Sequence, residues 1–86
     1  MSAARTLTVL SRSWCSLCDT LLERLEPVAA ELGWAVEVVD VADRPDLETR
    51  WSEDIPVVLH DTTELCRHFF DESAVRAYCA RFPLKS

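Results

Sequence analysis

The stretch Thr6-Leu7-Thr8-Val9-Leu10-Ser11-Arg12-Ser13-Trp14-Cys15-Ser16-Leu17-Cys18 passes from a β-branched, apolar run through polar residues into two cysteines three positions apart. Thr6 to Leu10 has the length and composition of a strand and is too short for a helix. Downstream, Leu17, Leu21, Leu25, Val28, Ala29 and Leu32 recur at spacings of three and four. That is the stripe of an amphipathic helix, which Gly33 closes as a left-handed cap. The helix therefore starts near Cys15. Pro27 lies inside it and removes the hydrogen bond to the Glu23 carbonyl, which predicts a kink. Trp34 to Val41 is a second strand, so nearly continuous in its apolar character that both faces are expected to be covered, as in parallel sheets. Strand, helix, strand implies a right-handed crossover.

Farther along, Asp43 is a candidate cap for a short helix carrying Pro45 early, with Leu47 and Trp51 one turn apart facing the sheet. Pro56-Val57-Val58-Leu59 reads as a third strand. After the turn-forming Asp61-Thr62-Thr63, Glu64 to Phe69 can return as an antiparallel edge strand. Asp71 caps a last helix with Ala74, Val75, Tyr78, Cys79 and Phe82 on its inner stripe. Arg76, Arg81 and Lys85 drift toward its negative end, and Pro83 stops it. The order is βαβαββα, an α/β fold, with no internal repeat and no linker.

Composition narrows the function. At 86 residues, 49% hydrophobic and 28% charged with one glycine, the chain is expected to fold as one domain spanning residues 1–86. A formal charge of −6 argues against nucleic acid or an anionic membrane surface as partner. No apolar run approaches the roughly eighteen residues of a membrane span, and Met1-Ser2-Ala3-Ala4-Arg5 has no apolar segment behind it. A cytoplasmic, monomeric protein is expected. In a reducing compartment its four cysteines would be catalytic, metal-binding or inert.

Cys15 and Cys18 carry the chemistry. A CxxC spacing is common, but at the join of a strand and a helix it places both sulfurs on one face within bonding reach. The first then sits near the unpaired N–H groups of Leu17 and Cys18. Helix N-termini and nearby cations lower a cysteine pKa from about 8.5 toward about 3.5 to 7.5. Arg12 is a plausible cation and Asp19 an opposing anion, and a lowered value is expected for Cys15. The plain alternative is a pair of buried thiols. Cys79 belongs to an apolar stripe and reads as a small hydrophobe. Cys66 and His68 share one side of the edge strand, as metal ligands could, but the cysteine spacing fits no standard zinc pattern. His60, at a strand end, reads as a satisfied surface group, Trp51 as core, and Trp14 as a substrate contact beside the nucleophile.

The chain resembles the glutaredoxin-like branch of the thioredoxin superfamily over nearly its whole length, and within it the small bacterial glutaredoxin-like proteins. The resemblance rests on Ser11 to Cys18, on Ile55-Pro56-Val57-Val58 and on the βαβαββα order. It implies a four-stranded mixed sheet flanked by helices, and a cis Ile55–Pro56 peptide facing the dithiol across a substrate groove. The backbone of Ile55 would pair with the substrate chain. The sequence departs from the family in two places. Ser16-Leu17 stands where dithiol glutaredoxins carry Pro-Tyr. Phe69-Phe70 stands where they place Gly-Gly, ahead of an acidic pair that helps hold glutathione and to which Asp71 and Glu72 correspond. The expected activity is thiol-disulfide exchange, with Cys15 as nucleophile, Cys18 as resolving thiol and Arg12 stabilising the thiolate. Trp14, Ile55, Pro56, Asp71 and Glu72 would contact substrate. No bound cofactor or metal is expected. The substrate would be a disulfide-containing protein or small-molecule disulfide, and the electron donor glutathione or a thioredoxin reductase. The alternatives are a redox-inactive thioredoxin-fold protein-binding module and a cysteine-based metal-binding protein.

Overall fold

The computed structural model of the chain describes residues 5–82. Its elements are β1 (Thr6–Ser11), α1 (Ser16–Leu32), β2 (Ala35–Asp40), a 3-10 turn at Val41–Asp43, α2 (Pro45–Trp51), β3 (Val57–His60), β4 (Thr63–Arg67) and α3 (Glu72–Cys79). The four strands lie in the order β2-β1-β3-β4. β1 runs parallel to β2 with Val9 opposite Val38, and antiparallel to β3 with Val9 opposite Val58. β3 and β4 form an antiparallel hairpin with a register shift at Val58/Leu59. The expected mixed sheet and βαβαββα order are therefore present.

Because strand side chains alternate between faces, the central strands supply two separate cores. On one face Leu7, Val9 and Val58 pack with Leu21, Leu25 and Ala29 of α1 and Val75 and Cys79 of α3. On the other, Leu10, Val41, Val57 and Leu59 meet Leu47 and Trp51 of α2, together with Ile55. Gly33 takes φ 80° at the end of α1, as the left-handed cap requires, and Asp71 Oδ1 accepts the Ala74 N–H at 3.0 Å to open α3.

Several expectations change. β2 is an edge strand hydrogen-bonded to β1 alone, with Val38 49% exposed, so it is not covered on both faces. An apolar run reports burial potential, whereas strand order decides which strand is flanked. Trp34 falls outside β2, its N–H donating to the Ala29 carbonyl at 2.8 Å to finish α1. Asp43 does not cap α2. Pro45 keeps its predecessor Arg44 out of the helical region (φ −134°, ψ 87°), so Arg44 is the cap, without a side-chain bond. Asp40 instead caps the 3-10 turn through the Ala42 N–H at 2.9 Å. Pro27, by contrast, does not break α1 in two, in keeping with the expectation of a single helix, and with Glu23 exposed, the carbonyl that lacks its partner can be hydrated. β4 stops at Arg67 because His68 turns to φ 68°. α3 stops at Cys79, while Pro83 and Lys85 lie outside the described residues.

Candidate active site

β1 delivers the chain to Ser11, a short loop carries Arg12 to Trp14, and α1 begins immediately after Cys15. Cys15 is the N-cap, with extended φ −107° and ψ 105°. Its Sγ accepts the Cys18 backbone N–H at 3.2 Å, and its carbonyl accepts the Asp19 N–H at 3.1 Å. The sulfur thus occupies the place usually held by the oxygen of a serine or aspartate cap. Cys15 is partly exposed, whereas Cys18 is fully buried one turn deeper.

The Cys18 thiol is fully buried one turn below Cys15, close enough to Ser11, the Arg12 backbone and Cys15 for each to act on its charge. Burial pushes the Cys18 thiol above its ordinary value and the bond to Cys15 adds to the rise, while Ser11 and the Arg12 N–H act in the opposite direction.

Trp14 holds φ 64° and its side chain is fully exposed beside Cys15. A bulky residue in the left-handed region costs roughly 1–3 kcal/mol, a strain that accumulates at functional sites. The neighbouring Ser13 hydroxyl, donating to Asp40 Oδ2 at 3.2 Å, ties this loop to the end of β2. The guanidinium of Arg12 lies 3.8 Å from Glu48 of α2.

The Ile55–Pro56 peptide is cis, as the resemblance implied. Leu10 pairs with Val57, and extending that antiparallel register by one residue brings Pro56 beside Ser11. Pro56 is buried, and its carbonyl accepts the His68 N–H at 2.7 Å. Asp71 is engaged as the α3 cap, and Glu72 Oε2 accepts from Arg76 at 2.7 Å. An open cleft of about 670 Å³ lies between β4 and the start of α3, with Cys66, Phe70, Asp71 and Glu72 in its walls. A smaller one of about 130 Å³ lies between Leu17, Thr20 and Arg24 of α1 and the His68–Phe70 bend.

Two residues were not picked out as site residues from the sequence. His68 is one. It sits in the bend just before Phe69-Phe70, and its backbone adopts the positive φ that a glycine takes without cost. The other is Ser11, read only as the polar end of a strand. No pattern within the sequence pairs it with Cys18.

The remaining candidates separate from this site. Burial raises the thiols of both Cys66 and Cys79. His60 is not a surface group: its side chain is 12% exposed, Nδ1 lies 2.7 Å from the Tyr78 hydroxyl, and its ring meets Trp34 edge to face at 5.0 Å. Trp51 packs on the second core with the guanidinium groups of Arg50 and Arg67 at 5.2 and 5.8 Å from its ring. Among the described residues no cluster of three or more His, Cys, Asp or Glu side chains is placed to hold a metal ion, and no helix is long and apolar enough to cross a membrane.

The chain is similar to an uncharacterized protein of Mycobacterium tuberculosis strain H37Rv, Rv0508, at 32% identity over 78 residues, which cover 85% of this chain and 80% of that protein. Among solved structures, the solution structure of protein Ne2328 from Nitrosomonas europaea superposes with a TM-score of 0.77 at 25% identity, over 91% of this chain and 94% of that one. The thioredoxin of Fasciola hepatica shares the fold, with a TM-score of 0.59 at 23% identity over 88% of this chain and 78% of the thioredoxin. A family model described as Glutaredoxin-like domain (DUF836) matches residues 6–79, a span holding the dithiol, the cis proline and α3. On that match the chain belongs to the glutaredoxin-like domain family.

Proposed function

We propose that this protein is a thiol-disulfide oxidoreductase. The observation that carries the reading is the pairing of a partly exposed Cys15 sulfur, held at the start of α1 by the Cys18 N–H at 3.2 Å, with a free, fully buried Cys18 thiol one turn deeper. The thioredoxin-like fold and the glutaredoxin-like family match support a redox role.

In the forward half-reaction the Cys15 thiolate attacks one sulfur of a substrate disulfide. The substrate S–S bond breaks, the departing sulfur leaves as a thiolate that takes a proton from water, and Cys15 is left in a mixed disulfide. Cys18 then loses its proton and attacks the Cys15 sulfur. The second substrate thiol departs, a Cys15–Cys18 disulfide forms, and two electrons have passed to the substrate. A thiol donor, either glutathione or a thioredoxin-reductase system, returns the dithiol. Arg12 lies three residues before the nucleophile and supplies positive charge to the loop. Trp14 offers an exposed apolar surface to the substrate, and the backbone of Ile55 beside cis Pro56 pairs with its chain. Asp71 and Glu72 border the cleft in which a glutathionyl group would lie. The substrate is a protein or small-molecule disulfide, the chain acts as a monomer without a resident cofactor, and the setting is the reducing cytoplasm.

The test is reduction of 2-hydroxyethyl disulfide, coupled separately to glutathione and to a thioredoxin-reductase system, with Cys15→Ser as control. Turnover with at least one donor that vanishes in Cys15→Ser is expected. Equal rates in the two proteins would refute the proposal. The full exposure of Trp14, together with exposed Phe69, favours one second reading, a binding module that grips a partner without turnover. Under that reading neither donor supports turnover, and partner capture is insensitive to reductant.

A further inference from the structure

The segment that leads into β3 is gripped from the end of β4 by two consecutive residues. Arg67 donates from Nε and Nη2 to the two carboxylate oxygens of Glu64 at 2.6 and 2.7 Å, a bidentate contact within its own strand that fixes the plane of the guanidinium. The third nitrogen, Nη1, meets Asp54 Oδ1 at 2.8 Å. The same guanidinium lies 5.8 Å from the ring centroid of Trp51, whose carbonyl accepts the Asp54 N–H at 2.7 Å. His68 donates its N–H to the Pro56 carbonyl at 2.7 Å and brings Nε2 to 3.4 Å from the Glu53 carbonyl. Glu53, Asp54 and Pro56 are each held, and Ile55 lies between them. Its own N–H and carbonyl take part in no hydrogen bond among the described residues.

An unused donor and acceptor on one residue, flanked by anchored neighbours, is what a second extended chain needs in order to add its main chain. Exposed ion pairs contribute little to stability, and the Arg67 and Asp54 side chains are 41% and 31% exposed. The consequence of their contact is therefore placement. We propose that Arg67 is a positioning residue for substrate: through Asp54 it fixes the Ile55 peptide group, so that the polypeptide carrying the target disulfide can pair with it. Glu64 acts one step farther back, by orienting the guanidinium. A small disulfide has no main chain to offer, so this clamp favours polypeptide disulfides over small ones. The role rests on the oxidoreductase reading and on Ile55 as the residue that receives the substrate chain.

The experiment compares reduced wild type, Arg67→Ala, Asp54→Ala and the double variant in single-turnover reactions with two disulfides that share a leaving group. One is 2-hydroxyethyl disulfide, and the other is a short peptide whose central cysteine is joined to 2-mercaptoethanol. Formation of the internal Cys15–Cys18 disulfide is followed by acid quench and mass spectrometry over a range of substrate concentrations. With the peptide, each single variant is expected to raise the half-saturating concentration about tenfold while the saturating rate stays within about twofold. The double variant is expected to do no more than either single, because the same link is broken in all three. With 2-hydroxyethyl disulfide, the rate is expected to change by no more than about twofold in any variant. Unchanged peptide kinetics in both single variants would overturn the role. So would equal slowing toward the two disulfides, which marks a general distortion of the site, or effects that add in the double variant, which mark two separate contacts. Failure of the oxidoreductase reading itself has a different signature, since wild type would then form the internal disulfide with neither substrate.

Discussion

The two ends of the central sheet hold similar raw material and use it in opposite ways. Where β3 ends, His60, Tyr78, Trp34 and Phe82 close on one another, with ring centroids 5.0 to 6.0 Å apart and the histidine bonded to the tyrosine hydroxyl. Where β1 ends, a strained tryptophan stands fully in solvent, a cysteine sulfur takes the place of a cap oxygen, and a second thiol waits beneath it. Reactive side chains whose partners are one another form a structural cluster. A reactive side chain whose partners are backbone N–H groups, with one side left open, is available for chemistry. The cysteines divide the same way: Cys79 is buried in the apolar core between the sheet and α3, whereas Cys18 is buried one turn below the partly exposed Cys15.

That contrast is most exposed to failure through the thiols. Cys15→Ser is expected to eliminate disulfide reduction, while Cys79→Ala keeps it within about twofold and lowers stability by about 1 kcal/mol through the small cavity it leaves. Coupled assays and urea titrations of the two variants measure both effects, and loss of activity in Cys79→Ala alone would break the distinction. At the other end, His60→Ala should cost about 2 kcal/mol, from one hydrogen bond and its edge-to-face contacts. The rate of Cys15 alkylation by iodoacetamide should not change. A change in that rate would mean that the two ends communicate.

A third difference concerns pH. Cys18, Cys66 and Cys79 all hold their protons above the ordinary thiol value of 9.0, chiefly through burial. The folded state therefore binds more protons than the unfolded chain once pH exceeds that value. Their contribution is fully present below it and is lost as pH rises through the folded values. Urea midpoints should fall above about pH 9, and the fall should be shallower in Cys79→Ala than in wild type. A midpoint independent of pH in this range would remove the argument. The smallest effect is expected at Trp14. Trp14→Gly relieves a positive φ and should raise stability by up to about 1 kcal/mol, even as it removes an apolar contact from the mouth of the site. Thermal melts of the variant check the gain, and a loss of stability would show that Trp14 is not strained.

Much of this architecture is written in short segments. The Thr6 to Leu10 run, the stripe from Leu17 to Leu32, the Gly33 and Asp71 caps, and the arrival of Cys15 at a helix start each depend on residues within a few positions of one another. Hydrophobic period and backbone capping are local properties, and reading them in order yields βαβαββα with a dithiol at the first junction. The cis Ile55–Pro56 bond followed from family resemblance, since nothing local dictates it.

Other features depend on residues that meet only after the chain has folded. β2 has the composition of a covered strand but lies at an edge, because a strand's neighbours are chosen by how the crossover and the hairpin return. Arg12 reaches Glu48 of α2, and His60 is enclosed by rings drawn from β2's approach, α3 and the residues after it. Side-chain partners of this kind are selected by three-dimensional proximity and by the need to satisfy every buried polar atom, and neither condition is expressed in the spacing of residues along the chain.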